Sequence, residues 1–201
     1  STSQREKRML NKIYVAVLHY PITGKDGRIV TTAVVNMDVH DIARTCRTYM
    51  IKRYYVVNNL PVQKQIVTRV LNFWGSDFGK NYNASRYEAL ELVKMVSYYE
   101  DLIEDITKAE GISPIKVFTS AKKRSNMVPY DEMKEMVLRE ERPILFLFGT
   151  GQGMPKEILE TCDVSLESIR GHSDYNHLSV RSAVAITLDR VIGEFVQKGG
   201  S

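Results

Sequence analysis

The chain has 201 residues, 43% of them hydrophobic and 26% charged, and a formal net charge of +4. That length suits one α/β domain better than two and supplies enough apolar side chain for a core, and the mild positive charge permits a phosphate-rich partner without demonstrating one. No apolar run reaches the ~18 residues of a membrane-spanning helix, and the polar stretch Ser1–Arg8 lacks the apolar region of a secretory signal.

In chain order, residues 1–11 read as a flexible tail, and 197–201 as another. Ile13–Leu18 is the first apolar, β-rich run, followed by a Gly-containing loop over Tyr20–Arg28 and a second run at Val30–Val35. A helix is predicted over Asp38–Tyr49, with Asp38 as N-cap and Asp41 in the first turn. Its Val39, Ile42, Ala43 and Cys46 form an inward stripe, and Arg44 and Arg47 share the opposite face. Tyr54–Val57 is a third strand. Pro61–Trp74 is a helix with Val62, Ile66, Val70 and Trp74 on one stripe. From Ser85, a Ser-x-x-Glu capping box and the spacing of Leu92, Met95, Val96, Tyr99, Ile103 and Ile106 predict one long helix. Strands at Ile115–Phe118, Ile144–Phe148 and Val164–Ile169 alternate with helices at Tyr130–Leu138, Pro155–Cys162 and His177–Phe195. Near-continuous apolar strands between helices predict one α/β domain over residues 1–201, a mainly parallel sheet with helices on both faces.

Cys46 and Cys162 each fall in an apolar helical pattern, which reads as free thiols in a reducing, cytoplasmic setting. His19, His40 and His172 show no metal-ligand spacing with cysteine or carboxylate, so no metal is expected.

Ligands of such sheets bind beyond the carboxyl ends of the strands. There Ile144–Phe148 runs into Gly149-Thr-Gly-Gln-Gly-Met-Pro155, whose alternate glycines let the backbone turn sharply and approach a ligand. A Walker A loop fails for want of Gly-Lys-Ser/Thr. A dinucleotide fingerprint matches Gly149 and Gly151 but meets Met154 at its third position, while Glu167 lies where a ribose-binding acid would fall. A nucleoside ligand is the reading common to the alternatives, including a nicotinamide-dependent oxidoreductase.

Four segments, in order, resemble motifs of the SPOUT methyltransferases, the SpoU-like branch in particular. Asp38-Val-His-Asp-Ile-Ala-Arg-Thr-Cys-Arg47 is similar to that branch's Asn-x-Gly-Asn-Ile-x-Arg-Thr-Ala. Leu147-Phe-Gly-Thr-Gly-Gln-Gly-Met-Pro155 is similar to its strand-then-glycine loop. Ile169-Arg-Gly171 with His177-Leu-Ser-Val-Arg-Ser-Ala-Val-Ala185 resembles its Ile-Pro-Met and following helix start, and Thr119-Ser-Ala-Lys-Lys-Arg124 resembles a Thr-Ser-Ala-Arg run. The stretches His19-Tyr-Pro-Ile22 and Tyr175–Ser182 look most like a small group of stand-alone domains sometimes joined to TrmD-type tRNA methyltransferases.

The resemblance implies a C-terminal deep trefoil knot, a homodimer with the active site built across it, and S-adenosylmethionine (SAM) as cofactor. It implies transfer of a methyl group to tRNA or rRNA, at a ribose 2′-O or at a base such as guanine N1. By position, the cofactor residues it implies are Thr119, Ser120, Phe148, Gly149, Thr150, Gly151, Gly153, Ile169, Gly171 and Leu178. Arg44, His177 and Ser179 fall at catalytic positions. Arg44, always protonated, suits holding a phosphate or orienting a ribose better than acting as a base. Asp38, Asp41, Asp174 and His177 are the candidate bases. Arg47, Lys122, Lys123 and Arg124 are candidate RNA contacts. Asp38, Asp41, Ser179 and Arg170 depart from the family pattern, which keeps open a non-catalytic SAM-binding RNA adaptor. The loop Phe73–Arg86 mixes aromatic rings with Lys and Arg, a composition that suits unpaired bases and equally suits ring anchors at helix ends.

Overall fold

A computed structural model describes residues 10–193 together with Gln4. In chain order the elements begin with β1 (Ile13–Leu18), a hairpin of β2 (Ile22–Thr23) and β3 (Ile29–Val30), α1 (Asn36–Thr48) and β4 (Arg53–Val57). Three helices follow, α2 (Pro61–Trp74), α3 (Asp77–Tyr82) and α4 (Ala84–Leu90). The rest are β5 (Val93–Val96), α5 (Tyr99–Glu110), β6 (Ile115–Phe118), α6 (Tyr130–Arg139), β7 (Ile144–Gly149), α7 (Lys156–Leu159), β8 (Val164–Ser165) and α8 (Val180–Ile192).

Among the described residues one six-stranded sheet has the order β5-β4-β1-β7-β6-β8, and every pairing in it is parallel. The central strands β1 and β7 are apolar at consecutive positions because both faces are covered. On one face Ile13, Val15 and Val17 pack with Val39, Ile42, Ala43 and Cys46 of α1, Met133 and Val137 of α6, and Val184, Leu188 and Val191 of α8. On the other, Tyr14, Ala16 and Leu18 meet Tyr99, Leu102 and Ile106 of α5 and Ile158 of α7. β1 lies between β4 and β7, and the chain leaves it toward β4 whereas β6, β7 and β8 fill the opposite half. The carboxyl ends of β1 and β7 therefore flank the point where the winding reverses, the position at which such sheets form their binding crevice.

Several expectations are corrected. The run Val30–Val35 is not a core strand: only Ile29–Val30 pair, in the hairpin, and the rest is a loop fastened by Thr32 N–H to the His19 carbonyl (2.8 Å) and Val34 N–H to Gln63 Oε1 (2.8 Å). The helix expected from Ser85 to Ile106 is three elements, α4, β5 and α5, because Val93–Val96 pairs with β4. Asn83, not Ser85, caps α4, its side chain accepting from Arg86 N–H at 3.1 Å. On α2 the buried residue is Val67, while Val62 and Ile66 face outward. The α1 N-cap is Val35, so Asp38 lies within the first turn, free to pair elsewhere. The strand expected over Val164–Ile169 reduces to Val164–Ser165 with an isolated bridge at Leu166, and the helix over Pro155–Cys162 to a single turn that leaves Cys162 beyond it. The last helix starts at Val180 rather than His177, and its expected end at Phe195 lies outside the described residues. Leu10, assigned to the first tail, is buried in the core; the remaining residues of that tail, apart from Gln4 and Asn11, and the segment 197–201 lie outside the described residues.

Candidate active site

The loops after β1, β6, β7 and β8 and the start of α8 enclose a cleft of about 830 Å³, the size of a pocket for a drug- or nucleoside-sized ligand. Its floor is the turn after β7. Thr150 reaches across to β1 and donates to the Leu18 carbonyl at 3.1 Å, fixing the loop to the neighbouring strand. Gly151 (φ 55°) and Gly153 (φ 100°) take left-handed backbone, and a Cβ at Gly153 would meet no atom within 4 Å, so the chain here presents bare backbone to the cleft. The hairpin braces this turn from outside: Thr23 N–H donates to the Gly153 carbonyl at 2.9 Å, and the Thr32 hydroxyl touches that of Thr150.

The second wall is the Thr119–Arg124 loop, held by Thr119 N–H on the Leu147 carbonyl (3.1 Å) and by Ser168 Oγ donating to the Ser120 carbonyl (2.7 Å). The third is Ile169 and Asp174–Val180, tied to the second where Asn176 Nδ2 donates to the Ala121 carbonyl at 3.0 Å. Among the described residues the N–H groups of Ile169 and Leu178, both lining the cleft, make no backbone hydrogen bond. They are donors of the kind that recognise a nucleobase edge.

Of the residues singled out from sequence, Thr119, Ser120, Phe148, Gly149, Thr150, Gly151, Gly153, Ile169 and Leu178 converge on this cleft, and Gly171 does not line it. His177 and Ser179 also line the cleft and are exposed to solvent. The Ser179 hydroxyl caps α8, accepting from Ser182 N–H at 3.3 Å and donating to Ser182 Oγ at 2.9 Å. Lys122 and Arg124 line the cleft, with the Arg124 guanidinium 5.5 Å from the Phe118 ring centre; Lys123 does not. Arg44 and Arg47 are outside it, both exposed on α1, with Arg47 paired to Glu88 at 3.7 Å. Among the candidate bases, Asp38, Asp174 and His177 line the cleft and Asp41 does not.

Sequence reasoning missed His19 and Thr32 as cleft residues; the signal available was that His19 directly follows β1. Burial pushes the His19 imidazole down to about 4, against a smaller opposing effect of a hydrogen bond with the Ala33 backbone, so the ring is neutral at physiological pH. Its Nδ1 lies 3.2 Å from the Thr32 hydroxyl. Burial raises the Asp38 carboxyl, opposed by the Arg181 guanidinium at 3.4 Å, which also lies 3.9 Å from Asp41. Among the described residues no cluster of His, Cys, Asp or Glu could hold a metal ion. Nor is any described helix long and apolar enough to cross a membrane.

An all-parallel sheet whose switch-point cleft offers free backbone donors and a glycine turn defines a nucleoside-binding α/β protein. Residues 12–193 match the family described as SAM-dependent RNA methyltransferase, and the chain belongs to that family. An uncharacterised protein of Aquifex aeolicus is 42% identical over 184 residues, covering 91% of this chain and 90% of its own length. A protein named tRNA (guanine-N(1)-)-methyltransferase, from Nitratidesulfovibrio vulgaris, is 40% identical over 182 residues, but the match spans 90% of this chain and only 42% of that longer protein. Among solved structures, the A. aeolicus TrmH/SpoU tRNA modifying enzyme superposes with a TM-score of 0.56 at 16% identity, over 94% of this chain and 79% of its own, so the SPOUT arrangement of strands and helices is shared.

The cleft fits the family's cofactor. The unpaired N–H groups of Ile169 and Leu178 suit an adenine edge, the bare backbone at Gly153 admits a ligand closely, and Glu167 and Asp174 supply negative charge for a cation.

Proposed function

We propose that the chain binds SAM in this cleft and methylates a tRNA nucleotide presented at its mouth. The observation that carries the reading is the convergence of the three loops after β6, β7 and β8 on one cleft with free backbone donors. Bound SAM supplies an electrophilic methyl group on a sulfonium. The protein's part is to orient the attacking oxygen or nitrogen in line with that methyl and accept the proton the nucleophile loses. Lys122 and Arg124 hold RNA phosphate at the rim, and Asp38, Asp174 or His177 takes the proton.

The proposal extends to architecture. Residues 12–193 act as one domain in the cytoplasm, and the chain is knotted, the segment from Ile169 to Ser179 threading past the Thr119–Pro129 loop. Support comes from the Ser168–Ser120 and Asn176–Ala121 hydrogen bonds, which clasp these two segments. A homodimer through α8 completes the site: Ala183 and Ala185 leave room for close approach, and a partner protomer would bring Arg44 or Arg47 to the RNA. A second reading, SAM binding without catalysis, is favoured by one observation, the engagement of the Ser179 hydroxyl in a helix cap.

Isothermal titration with SAM and S-adenosylhomocysteine, with NAD⁺ as control, tests the cofactor. Labelled-methyl transfer to bulk tRNA, with mass spectrometry of the product nucleosides, tests the reaction and separates ribose from guanine N1. Binding of the first two ligands with methylated RNA supports the enzyme. Binding without turnover supports the adaptor. Absence of SAM binding refutes both.

A further inference from the structure

Helices α2, α3 and α4 stand between β4 and β5, and their outer surface carries a cluster of rings that the cleft does not use. Phe73, Phe78 and Tyr82 are 49%, 62% and 72% exposed, an unusual display of aromatic surface by neighbouring residues. The Phe78 and Tyr82 rings lie nearly parallel, 12° apart with centres at 5.9 Å, and Trp74 adjoins Phe73 at 5.2 Å and Tyr82 at 6.1 Å. The helices that carry the rings are closely packed. Ser76 caps α3, and Gly79 lets α3 press on the end of α2 so closely that a Cβ there would lie 2.6 Å from the Phe73 carbonyl oxygen.

Two cations lie at the edge of the cluster. The Arg86 guanidinium sits 4.9 Å from the Trp74 ring centre and the Lys80 ammonium 5.4 Å from that of Tyr87. Neither they nor Arg44 form an ion pair among the described residues. Arg86 Nε and His40 Nδ1 are buried without a hydrogen-bond partner. Over residues 61–90 Lys64, Arg69, Lys80 and Arg86 face only two carboxylates, Asp77 and Glu88. His40 of α1 meets Trp74 edge-on at 5.9 Å, so the cluster leans on the helix whose Asp38 borders the cleft.

We propose that Phe73, Phe78 and Tyr82, with Lys80, Arg86 and Arg44, form a platform for unpaired RNA bases that flank the nucleotide to be methylated. The inference rests on the reading that RNA is the substrate. Stacking on ring faces is tolerant of sequence, and unsatisfied cations beside the rings suit the phosphates between stacked bases.

Trp74 is the sole tryptophan of the chain and reports on the cluster directly. Titration of the full chain with a short oligouridylate is expected to quench its emission, and a duplex RNA of equal length to quench it far less. A Phe78→Leu/Tyr82→Leu variant keeps apolar bulk but removes the rings. By anisotropy of labelled oligouridylate it is expected to bind roughly tenfold or more weakly, the scale of losing stacking platforms, with SAM affinity and solution mass unchanged. A Phe78→Tyr/Tyr82→Phe variant keeps the rings and is expected to bind as the native chain does. Native RNA binding by the Leu variant overturns the proposal, as does a halved mass, which would make the surface an interface between protomers. Failure of the native chain to bind oligouridylate also overturns it, whereas failure to bind SAM strikes the proposed function instead.

Discussion

Replacing Gly151 separates two properties of the turn after β7. At φ 55° an alanine Cβ would sit 3.4 Å from Thr32 Cγ2 and 3.5 Å from Ile22 Cγ2, ordinary contact distances, so no clash contributes. What remains is the cost of left-handed backbone for a residue with a Cβ, ~1–2 kcal/mol. Gly151→Ala therefore leaves the protein folded. Its urea midpoint should fall by roughly 0.5–1 M, with an unchanged slope, for a typical slope of about 2 kcal/mol per M. SAM affinity should drop less than about tenfold, since one tenfold step is 1.4 kcal/mol and the new methyl group faces the hairpin rather than the cleft. Gly151→Val differs: its γ-methyls have no room beside Thr32, so the Thr32–Thr150 contact breaks and SAM binding is lost. An unshifted midpoint for the alanine variant would refute the backbone argument. Native SAM affinity for the valine variant would refute the role of the hairpin as a brace.

His19 is kept neutral by burial, with its pKa at about 4 against an ordinary 6.5, so the unfolded chain takes up the proton first. Its contribution, about 3 kcal/mol, is complete above pH 6.5 and is lost as pH falls toward 4; a His19→Gln variant should show a flatter decline in stability over that interval. Arg181→Ala removes the counter-charge 3.4 Å from Asp38, whose carboxyl should then titrate still higher, read by NMR; an unmoved titration would show that the ion pair does not hold it down. Cys46 lies wholly in the core, its thiol pushed up by burial, and should resist Ellman's reagent until the chain unfolds, whereas Cys162, half-buried and raised to about 11, should react slowly in the native state. Cys46→Ser should cost about 1–3 kcal/mol in chemical denaturation, the penalty for burying an unpartnered hydroxyl.

β1, β4, β6 and β7 were legible as near-continuous apolar runs, broken in β6 only by Lys116, because strands covered on both faces have little polar side to show. The inward stripe of α1 was legible for a different reason: a helix covered on one face repeats its apolar residues every three or four positions, and Val39, Ile42, Ala43 and Cys46 are all buried. The segment after Ser85 misled: Leu92, Met95 and Val96 continue the helical spacing of α5 by coincidence, and only pairing with β4, a long-range event, makes Val93–Val96 a strand. The break was encoded locally at Tyr98, whose N–H donates to Asp101 Oδ2 at 3.1 Å to start α5. Beyond Val30, which pairs in the hairpin, the run to Val35 has strand-forming residues but finds side chains and loops as its hydrogen-bond partners. The glycine turn was legible as a ligand loop because glycine spacing is local. The roles of His19 and Thr32 were not, since they arise from the hairpin folding back on a turn more than a hundred residues away.

The central position of β1 bears on how the protein is made. Ile13 pairs with Ile144, and Leu18 with Gly149, so β1 waits for β7, far later in the chain, before its second edge is closed. Until then it can join only β4, and an apolar strand edge stays open. Sheets closed by such distant partners fold slowly, because the intervening chain must first be ordered. A nascent chain that has not yet reached β7 therefore exposes the open middle of its own sheet, and folding during synthesis is expected to depend on chaperones.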